Sequence, residues 1–308
     1  MKHRHRGPRP GHTRAAAAEG HEPDTTGWVE ELNAIAADTA RWPELSEDSL
    51  LLVVFQQCLY FAHTGAGDTA SVLAELYSHM TARVEAQDRL ELLDRVTAAV
   101  EEGGTPLAAL LPFLQHEPDP AVVTLAATAY ATLSPLEDGD PLSGPRTVLR
   151  MAEHAEDEGT RVGLLAGVLE LGDRRTLPIL RQTWAALARE TRVRLAGRPA
   201  SSPLVFASMV EFWTDALSEA GGEEVAVAVL GALARLAFEA EPRRVLDVRR
   251  KLPANAADDR ETIEILEDVP LAQFGARIAP RLQAVAGTPA LAGALAAARS
   301  GWEVRPGA

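Results

Sequence analysis

Apolar residues along this chain recur three and four positions apart, a spacing that places them on one face of a helix. The pattern runs from residue 28 to residue 301, and no stretch alternates between apolar and polar residues long enough to predict a strand. We therefore expect an all-α fold. Helices are predicted over 28–39, 47–62, 106–115, 120–133, 146–157, 160–171, 203–220, 223–240, 242–252, 261–267, 271–285 and 289–301, and a further helix is predicted to begin at 177 and to continue to the Arg-rich segment 194–202. Residues 68–102 form either one helix or two, and the pattern leaves both open.

Residues 119–180 contain two copies of one helical unit. A shift of 38 residues places Val123 on Arg161, Ala126 on Leu164, Ala127 on Leu165 and Leu133 on Leu171. Such a shift is close to the ~40-residue period of HEAT and armadillo repeats. Asp119 is expected to cap the first helix, with Pro120 at its first position, where a missing N–H costs nothing. A single helix hairpin buries only one face, so each copy needs neighbours on both sides.

These two copies resemble the HEAT-repeat family over about residues 105–190. The residues that carry the resemblance are Asp119-Pro120-x-Val122, Ala126-Ala127, Arg161, Leu171-Gly172-Asp173 and Pro178. The resemblance implies a curved α-solenoid of stacked antiparallel helix pairs, in which the second helix of each pair lines the concave side and binds proteins. The expected organisation is a disordered, basic and His-rich leader (1–26), a helical repeat domain (27–300) and a tail (301–308).

The chain is acidic, with a net charge of −14 and 46% hydrophobic residues. Nucleic acid and anionic membranes repel such a charge, so we expect neither as a partner. The longest apolar run, within 50–62, is shorter than the ~20 residues that a membrane helix needs. Cys58 is the single cysteine and is expected to be a buried apolar residue. Because the sequence shows neither a disulfide framework nor an apolar signal segment, the cytoplasm is the expected compartment.

Arginine is concentrated at the second copy, where residues 173–198 hold seven arginines against two acidic residues. Guanidinium groups bind carboxylates bidentately, so an arginine-lined concave face would suit an acidic segment of another protein. The candidate partner-binding residues are Arg146, Arg150, His154, Arg181, Arg189 and Arg192, the last three expected on one helix. This pattern predicts a non-enzymatic interaction scaffold. The alternative is a solvated face with weak local ion pairs.

Candidate catalytic chemistry is sparse in the sequence. HEAT-type scaffolds also include enzymes, and a metal-dependent hydroxylase or bilin-lyase type of activity is the alternative function. The dipeptide His116-Glu117 and the pair His154 and Glu158, four residues apart, supply too few ligands for iron. We therefore expect no catalytic residue, no metal and no cofactor.

Three further motifs are expected to be structural. Gly65 and Gly67 are expected to form a turn between helices, because the motif lacks the lysine and the later glycines of a phosphate loop. The acidic segment 137–140 lacks the closing glutamate of a calcium loop and is expected to be a solvated turn. Asp247 is flanked by basic residues three and four positions away, which predicts ion pairing along one helix. These basic residues are Arg243, Arg244, Arg250 and Lys251.

Overall fold

The computed structural model describes residues 25–65, 67–135, 139–240, 243–251, 262–285 and 287–302, and most of the predicted leader and of the predicted tail lies outside them. The described chain is mostly helical, as expected. Its α-helices are α1 (Thr25–Ala37), α2 (Glu47–Thr64), α3 (Asp68–Thr81), α4 (Ala86–Glu101), α5 (Leu111–Gln115), α6 (Pro120–Leu133), α7 (Ser143–His154), α8 (Glu158–Glu170), α9 (Leu177–Ala186), α10 (Arg189–Gly197), α11 (Ala207–Ser218), α12 (Glu223–Glu239), α13 (Leu271–Gln283) and α14 (Pro289–Trp302). Short 3-10 helices cover Thr39–Glu44, Leu107–Leu110 and Arg174–Thr176.

Side-chain caps start the equivalent helices of the two copies. Asp119 accepts a hydrogen bond from the backbone N–H of Ala121 at 2.8 Å and caps α6, as predicted. Asp157 accepts one from Thr160 at 2.7 Å and caps α8. The caps are separated by the same 38 positions as the apolar residues of the two copies, so the repeat includes the start of the helix.

The region 68–102 forms two helices, which decides the question that the pattern left open. α3 ends at Thr81 and α4 begins at Ala86. Between them, the side chain of Val84 is buried in the core, and its carbonyl oxygen accepts a hydrogen bond from the Arg89 guanidinium. The turn between the helices is therefore held by both apolar and polar contacts.

The expectation of helices over 242–252 and 261–267 is wrong, because these segments contain strands. Strand β2 (Arg244–Lys251) pairs antiparallel with β3 (Thr262–Pro270) and parallel with the short β1 (Val205–Phe206). The fold is thus mostly helical with a small three-stranded sheet among the described residues.

Two local features of β2 explain the error. A bulge between Asp247 and Val248 breaks the alternation of apolar and polar residues that would have indicated a strand. Charged residues three and four positions apart also imitate the polar face of a helix. Asp247 instead forms an ion pair with Arg174 at 3.1 Å, and Arg244 pairs with Asp268 across the strands.

Helices α6 and α8 lie side by side and run parallel, with almost no side chain between them. Ideal Cβ atoms placed on Gly163 and Gly167 would lie 2.9 Å from the Val123 side chain and 2.5 Å from that of Ala127. The Thr124 hydroxyl lies 3.1 Å from the Gly163 carbonyl oxygen, a separation of 39 residues in the chain. Small residues on both helices therefore allow the equivalent helices of the two copies to stack directly.

A similar close contact joins α12 and α14. An ideal Cβ on Gly301 would lie 2.7 Å from the Cβ of Ala237, and the Trp302 indole N–H donates to the Leu233 carbonyl oxygen at 2.8 Å.

Within the described ranges, no helix combines the length and the apolar character that crossing a membrane requires.

Candidate functional site

The first three candidate residues lie on α7 and point largely to solvent. Arg146 pairs with Asp140 at 2.8 Å, and both side chains are about half exposed. Arg150 is exposed, and its guanidinium donates a hydrogen bond to the Thr147 hydroxyl at 3.3 Å. His154 is exposed at the last residue of the helix. The positive charges of Arg150 and Arg146 are therefore accessible from outside.

The other three candidate arginines lie on two helices, so the expectation of one helix is wrong. Leu187 and Ala188 have extended backbone angles that separate α9 from α10. Arg181 belongs to α9, whereas Arg189 and Arg192 belong to α10. No glycine or proline lies at this break, and for that reason the pattern appeared continuous.

Each of these three arginines already has a partner within the chain. Arg181 forms an ion pair with Asp215 of α11, and Arg189 lies 3.3 Å from a carboxylate oxygen of Glu224. The Arg192 guanidinium donates to the Ala185 carbonyl oxygen at 2.8 Å and lies 5.4 Å from the ring centre of Trp184. The positive charges of these three arginines therefore take part in contacts that hold α9, α10, α11 and α12 together.

Arg181 is one member of a ladder of alternating charges across α9, α11, α13 and the sheet. Arg281 shares Asp215 with it, at 3.1 Å. Further along, Arg174 bridges Glu211 and Asp247, and Arg277 pairs with Glu267 at 2.9 Å. The four arginines of this ladder balance its four carboxylates, so the surface is close to neutral and offers little excess charge to an acidic partner.

The six candidate residues lie on three helices, α7, α9 and α10. Helix α7 packs mainly against α6 and α8, whereas α9 packs against α11, and α10 against α8 and α12. The positive charges of Arg146 and Arg150 on α7 are the accessible ones among these candidates. The assignment of all six to a partner-binding face stays a prediction.

The His116-Glu117 dipeptide is part of a buried ion pair. Glu117 is 1% exposed, and its carboxylate accepts bonds from Arg89 at 2.8 and 3.0 Å and from the Tyr77 hydroxyl at 2.9 Å. Burial, followed by the charge of Glu117, raises the pKa of Tyr77, and burial lowers the pKa of His116. Every oxygen of the carboxylate is occupied by protein donors, so this cluster joins α3, α4 and the start of α6.

The second histidine pair does not form a site either. His154 ends α7 and Glu158 begins α8, so the two residues do not share a helix face, and Glu158 pairs with Arg161 at 2.5 Å. Across the described parts of the chain, no group of three or more His, Cys, Asp and Glu residues is placed to hold a metal ion. Cys58 is buried as predicted, and burial raises its thiol pKa to about 12.

A small pocket with mostly apolar walls and a few charged groups lies between α8, α10 and α12. Glu170 lines it together with Arg198 and Arg235, and the pocket has a volume of about 30 Å³. Burial raises the pKa of Glu170 and lowers those of both arginines, while the Ser201 backbone N–H, 3.0 Å from the Glu170 carboxylate, favours the ionised acid. A volume this small holds about one water molecule. The pocket is therefore too small for a substrate.

Sequence reasoning missed a second polar cluster at Asp173, Arg175 and Arg250. Asp173 is 3% exposed and binds the Arg175 guanidinium, while Arg250 comes from β2, 75 residues further along the chain than Arg175. The sequence indicated a turn at Asp173. Nothing local linked it to Arg250, because the contact depends on the strand at 244–251, which the sequence did not reveal.

Comparison with protein-family models, with curated proteins and with solved structures finds no match to this chain. The resemblance to the HEAT-repeat family therefore rests on the residues of the chain itself and stays a prediction.

Proposed function

We propose that this protein is a non-enzymatic scaffold, built as a curved row of HEAT-like helix pairs, that binds another protein. One observation carries the proposal: the equivalent helices α6 and α8 stack in parallel, with the Thr124 hydroxyl 3.1 Å from a carbonyl oxygen 39 residues further along the chain. In a repeat array, each unit contacts its neighbours through such equivalent helices.

The order of helix contacts supports a row that extends beyond the two copies. Helices α1, α2, α4, α6, α8, α10, α12 and α14 each pack against the next in this order. Since an array of this kind buries one layer of helices between neighbours and leaves the second layer on a face, it offers a long surface for a partner.

The proposed partner is a protein with an acidic segment, and α7 is the part of the surface that the charges favour. Arg150 is exposed, and within the described part of the chain its hydrogen bond is to the Thr147 hydroxyl, so its guanidinium is available to a carboxylate. The surface of α9 and α10 is less favourable to such a partner. There, the guanidinium groups of Arg181, Arg189 and Arg192 already bind groups within the chain, which reduces their contribution to binding. Binding to nucleic acid or to a membrane is not part of the proposal, because the chain is strongly acidic.

Tagged protein recovered from cells of its native host tests the proposal. We expect one protein to co-purify in a stoichiometric ratio, and Arg150→Glu to weaken the purified complex by about tenfold, as for loss of a charge-assisted hydrogen bond. Arg41→Glu is the matched control, since Arg41 is exposed and lies far along the chain in a 3-10 helix. A partner whose affinity is unchanged by Arg150→Glu removes α7 from the interface, and recovery of no partner contradicts the proposal.

A further inference from the structure

Residues 198–204 connect α10 to β1 without regular secondary structure, and we name this segment the strap. Across the described chain, its residues 199–203 form no hydrogen bond from backbone to backbone. Side chains hold the strap instead. Arg198 donates to the Thr124 hydroxyl of α6, and Arg235 of α12 donates to the Arg198 carbonyl oxygen at 3.3 Å. A connection held in this way can open while the helices beneath it stay folded.

The strap is also bound to a carboxylate that it helps to bury. The Ser201 backbone N–H donates to the Glu170 carboxylate of α8 at 3.0 Å. Burial raises the pKa of Glu170, and the Ser201 N–H and the charge of Arg198 offset only part of that effect. The closed strap therefore disfavours the ionised form of Glu170, which water would solvate better.

The strap covers the small pocket between α8, α10 and α12. Pro199 and Ala200 of the strap line this pocket, which has a volume of about 30 Å³. Met209 and Trp213 of α11 are both buried and line it as well. Closed, the pocket has room for about one water molecule. Displacement of the strap would give water and ligands access to its apolar walls.

We propose that the strap opens over this pocket when Glu170 is ionised and closes when Glu170 is protonated. Ionisation favours the open state, because water then solvates the carboxylate more fully than the closed strap allows. The other described charged residues that line the pocket are Arg198, Arg235 and Glu239. The two arginines stay charged at every pH at which they are tested, and Glu239 is exposed in the closed state, so its ionisation changes opening little. This switch does not depend on the scaffold function or on α7.

Hydrogen exchange of the Ser201 amide in the full chain tests the proposal. The exchange rate, divided by the intrinsic rate at the same pH, gives the fraction of molecules with an open strap. We expect this fraction to increase about threefold or more between about pH 4 and about pH 8. In Glu170→Gln the side chain can still accept from Ser201 but has no charge, so the fraction should not change with pH. Glu239→Gln is the matched control and should keep the pH dependence.

Thiol labelling measures whether the pocket itself becomes accessible. Ala166 is buried, lines the pocket and lies one turn before Glu170, so Ala166→Cys places a thiol there. Its labelling by 4,4′-dithiodipyridine, relative to that of Ala34→Cys at an exposed position of α1, should rise with pH. Cys58 is fully buried and reports global unfolding in the same molecule, so it should stay unlabelled.

The exchange measurement keeps the test valid if Ala166→Cys does not fold. The proposal is overturned if the open fraction of the wild type is independent of pH, or if Glu170→Gln shows the same pH dependence. Labelling of the introduced thiol that is always accompanied by labelling of Cys58 also overturns it, because the whole chain would then be unfolding.

Discussion

At the scale of single residues, buried polar groups and tight apolar contacts set the stability of this chain. Leu171 is 3% exposed at the end of α8, as the sequence predicted. Beside it, Gly172 has a φ of +72°, and a Cβ there would lie 2.3 Å from the ring of Phe206. This position therefore needs glycine both for its backbone conformation and for space.

We expect Leu171→Ala to lower the free energy of unfolding by about 2–5 kcal/mol, because a buried leucine leaves a cavity when truncated. Urea denaturation measures the change. Leu125→Ala is the matched control, since Leu125 is 40% exposed and its truncation should cost about 0.5 kcal/mol or less. Equal effects of the two variants would contradict the placement of Leu171 in the core.

Glu170 should make stability depend on pH. Burial raises its pKa above the ordinary value of 4.5, so the folded state favours the protonated acid. The stability contributed by this group is complete below pH 4.5, where both states are protonated, and is lost as the pH rises through the folded-state pKa.

Glu170→Gln imitates the protonated acid, so the variant should gain stability relative to the wild type as the pH increases from about 4 to about 8. Urea midpoints at several pH values measure the difference. Glu153→Gln, at an exposed position of α7, controls for the loss of one negative charge. If the stability that Glu170→Gln gains over the wild type stays constant or decreases as the pH rises, the environment of Glu170 does not penalise its charge.

At the scale of elements, helices and strands are joined by contacts that are either very close or polar. The α6–α8 contact depends on glycine at two positions of α8, and the buried pair of Arg89 and Glu117 ties α4 to the start of α6. The sheet is held differently, by pairing of β2 with β3, by an ion pair to α13, and by Arg174, which binds both Asp247 of β2 and Glu211 of α11.

Gly167→Ala should lower the free energy of unfolding by about 1–3 kcal/mol, because the added methyl group forces α6 and α8 apart. A Cβ on this residue would lie 2.5 Å from that of Ala127 and 2.7 Å from the Thr124 carbonyl oxygen. Gly293→Ala in α14 is the control: nothing lies within 4 Å of its Cβ position, so alanine should stabilise by about 0.5–1 kcal/mol. Thermal unfolding measures both changes. Midpoints of Gly167→Ala and Gly293→Ala that shift in the same direction would contradict the close stacking of α6 and α8.

Glu117→Ala should cost about 3–5 kcal/mol, because it leaves Arg89 charged and buried without its partner. The Tyr77 hydroxyl and the Asp119 backbone N–H lose an acceptor at the same time. Glu91→Ala, at an exposed position of α4, should change the free energy of unfolding by about 0.5 kcal/mol or less. Chemical denaturation compares the two, and a small cost at Glu117 would mean that the pair contributes little to the fold.

At the scale of the whole molecule, the proposed row of helices should give an elongated particle. A compact chain of 308 residues has a radius of gyration of about 19 Å. Small-angle X-ray scattering of the chain from residue 25 to residue 302 should therefore give a clearly larger value. A radius at or below the compact value would contradict an open row and, with it, the long binding surface.

The sequence by itself determined most of the helices, the cap at Asp119 and the 38-residue repeat, because those features depend on residues a few positions apart. Cys58 and Leu171 were placed in the core correctly for the same reason, since the apolar stripe of a helix defines its buried face. Only the tertiary structure decided the strands β2 and β3, the separate helices α9 and α10, and the cluster of Asp173, Arg175 and Arg250. The strand pairing and the cluster depend on partners 11 to 79 residues away in the chain, and a local pattern contains no information about which distant backbone will pair with it.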